Sequence, residues 1–430
     1  MKEPMLTTLL PRARPRAATP FYGWHIVVWS AVLVAATAPG QTAAVSVFID
    51  PMIAELGISR SAVSTAYLVG TLAGATAMPF VGRALDRFGA RRVMVVIAMV
   101  FAVALAALST VDSIIGLTSG FVIIRMAGQG ALNLAATTVV ALWFHRRRGT
   151  AIGIVSAIGA SAICLAPVLL ERLIAHWGWR TTWLAEGIAI AVIVIPIAWF
   201  AIRDRPADLG QRPDGASHDD AAAAAAADWG VTRKVALRTP FFWVLTTMVA
   251  SIWMLVTGIN FHQISLLTAR GLSTAEAAGN FIPQTVASLV ATFAAGNLTD
   301  RLPAKHLIVA SMATLIGALA LGTVVSSGAI AIVFGALIGA AGGAVRGFEA
   351  ATFARHFGTR HIGAIRGVVT SISVGASAFG PLLFATLYGA TGSYSPALLG
   401  AILLPVLVIG AALITRPPAH SAASVATPAP

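Results

Sequence analysis

Gly82–Val93 reads GRALDRFGARRV, and this stretch decides the fold. Four arginines, Arg83, Arg87, Arg91 and Arg92, and one acid, Asp86, crowd between two long apolar runs, with Gly82 and Gly89 supplying turns. A second copy, GNLTDRLPAKHL, runs from Gly296 to Leu307. The offset of 214 residues (296 less 82) also pairs Gly57 with Gly271, Asp86 with Asp300, Arg87 with Arg301, Gly128 with Gly342, Pro167 with Pro381 and Gly178 with Gly392. One register held without a gap over so many punctuation points makes the chain two homologous halves, parallel repeats of a membrane protein.

Composition points the same way. Charged residues form only 10% of the chain and hydrophobic ones 57%; a soluble domain carries about 25% charged residues. So few charges cannot cover a water-facing surface. Twelve apolar runs, the first near 24–47 and the last near 395–415, each approach the ~20 residues that a spanning helix needs. The expected fold is an all-α polytopic membrane protein, twelve transmembrane helices in two six-helix pseudo-symmetric bundles. Residues 1–20 are read as a disordered cytoplasmic tail, 21–202 as the first bundle, 203–239 as a cytoplasmic linker with an alanine run at 221–227, 240–416 as the second bundle and 417–430 as a tail.

Placement of charge sets the topology. Of the 29 Lys and Arg residues, 23 fall in the tails and alternate loops, four (Arg60, Arg172, Arg180, Arg270) on the opposite side, and Arg125 and Arg346 inside spans. This is the positive-inside pattern, so both termini are expected in the cytoplasm. The net charge of +13 then reads as topology and lipid contact rather than nucleic-acid binding. A lone Cys164 excludes an internal disulfide or a thiolate metal cluster.

GRALDRFGARR resembles the loop between helices 2 and 3 of the major facilitator superfamily of secondary transporters, repeated there between helices 8 and 9. The resemblance covers roughly Tyr22 to Arg416. It implies a gate latch made by Asp86, Arg87 and Arg91, with a weaker copy at Asp300 and Arg301, because Pro303 replaces Gly89. Asp86 would oppose a helix N-terminus, where the dipole favours an anion. RMAGQG, starting at Arg125, is similar to the family's helix-4 motif of an arginine followed by spaced glycines. RDRPADLGQRPDG and RHFGTRHIGAIRGV resemble bacterial members of the monocarboxylate-transporter-like and oxalate/formate-antiporter-like branch. The chain departs from that branch in lacking its helix-8 charge and its helix-11 lysine. It also lacks the Gly-Pro ending of the drug-antiporter motif, reading Ala166 before Pro167.

Candidate site residues follow from polarity inside spans. An intramembrane arginine is costly and marks function by default, which singles out Arg125 and Arg346; a structural ion pair is the other reading of each. Gln41 follows the Pro39-Gly40 break of the first span, either facing a cavity or bonding a neighbouring helix. Asn260 and His262 end the seventh span; His262 is open to anion binding, to pH sensing or to hydration at the interface. Asn280 and Gln284 stand four apart on one face. Glu349 follows Arg346 by three residues, within pairing distance on a helix, and is the candidate for proton coupling.

No phosphate loop, metal-ligand cluster or catalytic triad is present, so neither an enzyme nor a cofactor is expected. The reading is a secondary transporter of a small organic anion, a carboxylate, working by alternating access as proton symporter or exchanger. The expected setting is the bacterial inner (plasma) membrane, with a monomeric functional unit. The alternatives are a multidrug or sugar-type facilitator and a non-transporting receptor on the same fold.

Overall fold

The computed structural model describes residues 21–144, 147–211, 213, 230–299, 301–326, 328–358 and 361–418. Ten stretches among them are long and apolar enough to cross a membrane. One of these, Thr150–Ala201, contains Gly178 at φ +76° and ψ 163°, a backbone state foreign to a helix, and so divides into two spans. The first apolar region falls short in length because Ala38–Gly40 interrupts it. Twelve spans result: α1 (Gly23–Ala35 with Thr42–Leu56), α2 (Arg60–Phe88), α3 (Ala90–Leu108), α4 (Ile114–Trp143), α5 (148–177) and α6 (179–201). The second half supplies α7 (Pro240–Thr268), α8 (Thr274–Thr299), α9 (Ala304–Gly322), α10 (Gly328–Phe357), α11 (Ile362–Thr391) and α12 (Ser395–Ile414). Helices satisfy their own backbone groups in lipid, which is why apolar runs of this length take no other form. The chain is an integral membrane protein.

The sequence repeat is visible in the backbone. Gly57 and Gly271 close α1 and α7 at φ +62° and +90°, and Gly178 and Gly392 close α5 and α11 at +76° and +68°. Only glycine takes such angles without strain. Pro167 and Pro381 both lie inside helices, α5 and α11.

Glycines also set how close the helices come. A methyl on Gly40 would reach within 2.5 Å of the Ile124 carbonyl oxygen and 2.9 Å of Gly128 Cα, so the break in α1 presses directly on α4. There α4 widens into a π-helical turn, Arg125–Leu132. Gly130, by contrast, faces the Met78 side chain. The tightest crossing joins α8 to α10. Gly335, Gly339, Gly343 and Gly347 recur every fourth residue; a methyl on Gly335 would meet Asn280 Oδ1 at 2.5 Å, and methyls on the other three would overlap the carbonyls of Gln284, Ser288 and Thr292. The equivalent crossing in the first half, α2 on α4, puts its small residues on the other partner, with Gly70 2.9 Å (as a methyl) from the Phe121 carbonyl and Gly74 against Met126.

The halves meet towards the end that carries the 57–59, 269–273 and 392–394 turns. Tyr67 of α2 lies against Phe261 of α7, ring centroids 4.6 Å apart. Thr274 donates to Glu171 Oε1 of α5 at 2.9 Å. Arg60 of α2 pairs with Asp50 of α1 and sits 5.8 Å over the Tyr388 ring of α11, which stacks on Tyr394. At the opposite, basic end both ends of the connecting segment lie back on the half they adjoin: the Trp143 indole donates to the Arg203 carbonyl just after the first half, and Val231 N–H, just before the second, donates to the Phe357 carbonyl.

Candidate functional site

Between the halves, at mid-span, α10 presents Arg346. Its guanidinium donates to the Ser288 hydroxyl of α8 and lies 5.3 Å from the Trp253 ring centroid of α7. From the other half Cys164 of α5 stands near Thr285 of α8, within electrostatic range of the same guanidinium. Arg346 nevertheless stays exposed, and no carboxylate among the described residues pairs with it. The expected partner, Glu349, is drawn away: its Oε1 stands 3.6 Å from Arg366 Nη2 of α11. Spacing on one helix suggested the Arg346–Glu349 pair; the neighbouring helix supplies a competing cation.

Arg125 is the opposite case. It is 2% exposed and is consumed by packing: Nη1 donates to the Gly40 carbonyl at 2.9 Å, Nε to Thr71 Oγ1 at 3.1 Å, and the guanidinium lies 4.3 Å from the Tyr67 ring centroid. The break in α1 leaves backbone oxygens without helical partners, and Arg125 supplies one of the missing donors. Gln41 belongs to the same break, its Nε2 donating to Thr37 Oγ1 at 3.1 Å.

Above Arg346, towards the closed end, Gln284 Nε2 donates to Asn260 Oδ1 at 2.8 Å, joining α8 to α7. Asn280, expected on the same face as Gln284, turns instead to α10 and donates to the Ala331 carbonyl at 2.5 Å. His262 is fully buried rather than hydrated. Its Nε2 bonds the Pro381 carbonyl at 2.8 Å, and its Nδ1 is 3.5 Å from the Tyr394 hydroxyl, which donates to Ser265 at 3.1 Å. The close α7–α11 crossing at Gly258 and Gly380 brings the ring beneath α11. Burial pushes the Tyr394 hydroxyl up to about 12, so it remains a neutral donor. Sequence reasoning had not marked Ser288, Trp253 or Thr285; the only available signal was small polar and aromatic residues on α7 and α8 at one depth as Arg346.

The latch residues lie apart at the basic end. Asp86 is exposed and meets no cation among the described residues. Arg87 lies over Phe88 and Arg91 over Trp199, so neither faces the other half. The helix N-terminus beside them, that of α3, is capped by Asp204: its Oδ1 accepts from Arg91 N–H at 2.8 Å, against Gly89 at φ +80°. Asp300 lies outside the described residues. Arg301 is exposed, and Arg355 closes the end of α8 through the Thr299 carbonyl at 2.9 Å.

Known proteins place this architecture. The chain is 27% identical over 326 residues to the MFS transporter asaE of Aspergillus flavus, covering 74% of this chain and 69% of that one. It is 26% identical over 230 residues to the oxalate:formate antiporter of Oxalobacter formigenes, covering 53% and 52%. In fold it matches a bacterial homolog of the human lysosomal transporter Spinster, solved inward-facing and occupied, with TM-score 0.70, 15% identity and 93% and 97% coverage. A D-xylose–proton symporter matches with TM-score 0.66, 17% identity and 91% and 97% coverage. The family model for the Major Facilitator Superfamily matches residues 31–283, more than half of the chain. Two six-helix halves around a polar centre, with these relatives, make the chain a member of the Major Facilitator Superfamily, a secondary transporter and not an enzyme.

Proposed function

We propose that the protein carries a small organic anion, a carboxylate, by alternating access between its two halves. The observation that carries this reading is Arg346: a guanidinium between the halves, mid-membrane, exposed, with no acid partner among the described residues. Burying such a charge costs at least ~2.5 kcal/mol on insertion scales, and a ligand carboxylate offsets that cost through two parallel hydrogen bonds. The similarity to an oxalate:formate antiporter supports the same ligand class. Glu349, held to Arg366, is the group for proton coupling: protonation releases Arg366, and Arg346 one turn away senses the change. Arg125, Gln41 and His262 act as structural supports, while Asn260 and Gln284 border the ligand.

The basic end faces the cytoplasm of a bacterial cell by the positive-inside rule, which puts both termini and the 203–239 linker there. The contacts between halves gather at the other end, so the conformation is inward-facing. Asp86, Arg87, Arg91, Asp300 and Arg301 form their latch when the halves close on the cytoplasmic side.

The single cysteine provides the test. A negatively charged thiosulfonate should label Cys164 beside Arg346, and short carboxylates should slow that labelling in proportion to their affinity. Arg346→Lys should weaken the protection. Absence of protection by any carboxylate, together with no carboxylate uptake in proteoliposomes, would overturn the reading.

A further inference from the structure

A groove of about 250 Å³ runs along α7 between α11 and α12. Trp243, Ala250 and Met254 form its floor, and Ile372, Ala376 and Leu404 its walls. The closest α7–α11 contact shuts one end, where a methyl on Gly380 would overlap the Met254 carbonyl oxygen. From there towards the basic end the side chains are too small to fill the space between the helices. Of the hydroxyls in the lining, Thr246 donates to the Phe242 carbonyl at 2.8 Å and Ser251 to the Thr247 carbonyl at 2.6 Å. The lining is therefore hydrocarbon in character.

The groove stands apart from Arg346. Trp253, which faces the guanidinium, is the neighbour of Met254 and points about 100° away from it around the helix. Trp243 is 46% exposed and Thr247 is exposed as well, so the groove opens sideways to the bilayer. From Trp243 to Met254 it spans eleven residues (254 less 243), about 16 Å, which is one leaflet of a hydrocarbon core ~30 Å thick. At its mouth the Trp243 indole donates to the Leu237 carbonyl at 2.9 Å, fastening the basic segment before α7 over the groove. That segment carries Arg233, Lys234 and Arg238, all exposed. Arg416 follows Leu404 by twelve residues (416 less 404), as Arg238 precedes Ala250 by twelve (250 less 238), so these cations lie at one level. No Asp or Glu occurs on α7, α11 or α12 or in 231–239, and none of the four cations pairs with a carboxylate among the described residues.

We infer that this groove holds a single anionic phospholipid from the leaflet at the basic end, one acyl chain against α7 and the phosphate among Arg233, Lys234, Arg238 and Arg416. Length fixes the orientation. A chain that follows the groove passes Trp243, an aromatic residue suited to the interface, and brings its head group to the cations. In lipid the apolar contact only exchanges one hydrocarbon neighbour for another. Preference among lipids therefore comes from the head group, where each Lys or Arg near the surface favours an anionic one. The groove supplies the place and the count, since about 250 Å³ seats one chain.

The test is native mass spectrometry of the full-length protein in detergent, after delipidation and addition of phosphatidylglycerol and phosphatidylcholine with matched chains. Wild type should retain one phosphatidylglycerol and, in an equal mixture, prefer it about tenfold. Arg238→Gln combined with Arg416→Gln should bring that ratio towards one. Ala376→Phe, which fills the groove and leaves every cation in place, should lose the retained lipid. Equal retention of the two lipids by wild type would overturn the inference. So would phosphatidylglycerol held by Ala376→Phe as by wild type, which would make the attraction a diffuse one along the basic surface. Recovery of a lipid-free dimer would assign the groove to a second copy of the chain and overturn it too. The wild-type comparison needs no variant, so a substitution that fails to assemble does not shield the inference.

Discussion

Two intramembrane arginines separate at the level of their hydrogen bonds. Arg125 has a carbonyl, a hydroxyl and an aromatic ring; Arg346 has one hydroxyl and a ring, and remains exposed. Arg125→Leu should therefore act on stability. It strands the Gly40 carbonyl and the Thr71 hydroxyl and should cost about 3 kcal/mol, read as a lower melting temperature in detergent. An Arg125→Leu protein that melts like wild type but loses carboxylate affinity would move Arg125 into the site. Arg346→Lys should assemble normally and lose carboxylate affinity about tenfold, because lysine keeps the charge without the planar fork. Unchanged affinity in a ligand-induced thermal shift would remove Arg346 from recognition. The cost of charge in lipid made both residues legible in the sequence. Which one is sequestered was not, since the answer depends on a helix break 85 positions away from Arg125. For the same reason helical spacing tied Glu349 to Arg346 and overlooked Arg366, which another helix brings in.

At the scale of helices, the α8–α10 crossing fixes the geometry around Arg346. Backbones in contact through four glycines leave no room for a side chain, and small residues at four-residue intervals are how membrane helices approach this closely. Gly339→Val should abolish assembly, because the new methyls overlap the Gln284 carbonyl. Gly375→Ala on α11, where a methyl meets nothing within 4 Å, should stay within about 0.5 kcal/mol of wild type. Fluorescence-detected size-exclusion chromatography with a melting series distinguishes the two. Equal behaviour would mean that the crossing is looser than described. The spans, the α1 break and the repeat were readable because punctuation residues act locally. The four-residue glycine period from 335 to 347 was equally present in the sequence, but its meaning is tertiary. The repeat itself obscured it, since the first half places its crossing glycines on α2 rather than α4.

Across the whole molecule, Arg60 holds the closed end: it belongs to the first half, is anchored by Asp50 there, and covers Tyr388 of the second. Arg60→Ala should loosen that end and raise Cys164 labelling by an impermeant thiosulfonate added outside oriented vesicles, by several-fold. Unaltered labelling would show that the aromatic contact of Tyr67 and Phe261 suffices. Asp86 has no partner among the described residues, so Asp86→Asn should leave melting unchanged yet slow transport more than Asp300→Asn, whose loop carries Pro303 in place of a glycine. Transport by Asp86→Asn at the wild-type rate would exclude a latch. The residues around the central guanidinium share one allegiance: Arg346, Ser288, Thr285, Trp253, Asn260 and Gln284 all stand on α7, α8 and α10. Cys164 answers from across the interface. With Arg346 binding the cargo as proposed, that cargo is moored to one jaw for the entire stroke, while the other jaw swings past it as a wall. Capture chemistry and release timing are then separable properties. Exchanging the first half between relatives should retune how fast and in which direction the anion leaves, with the identity of the anion travelling in the second half alone.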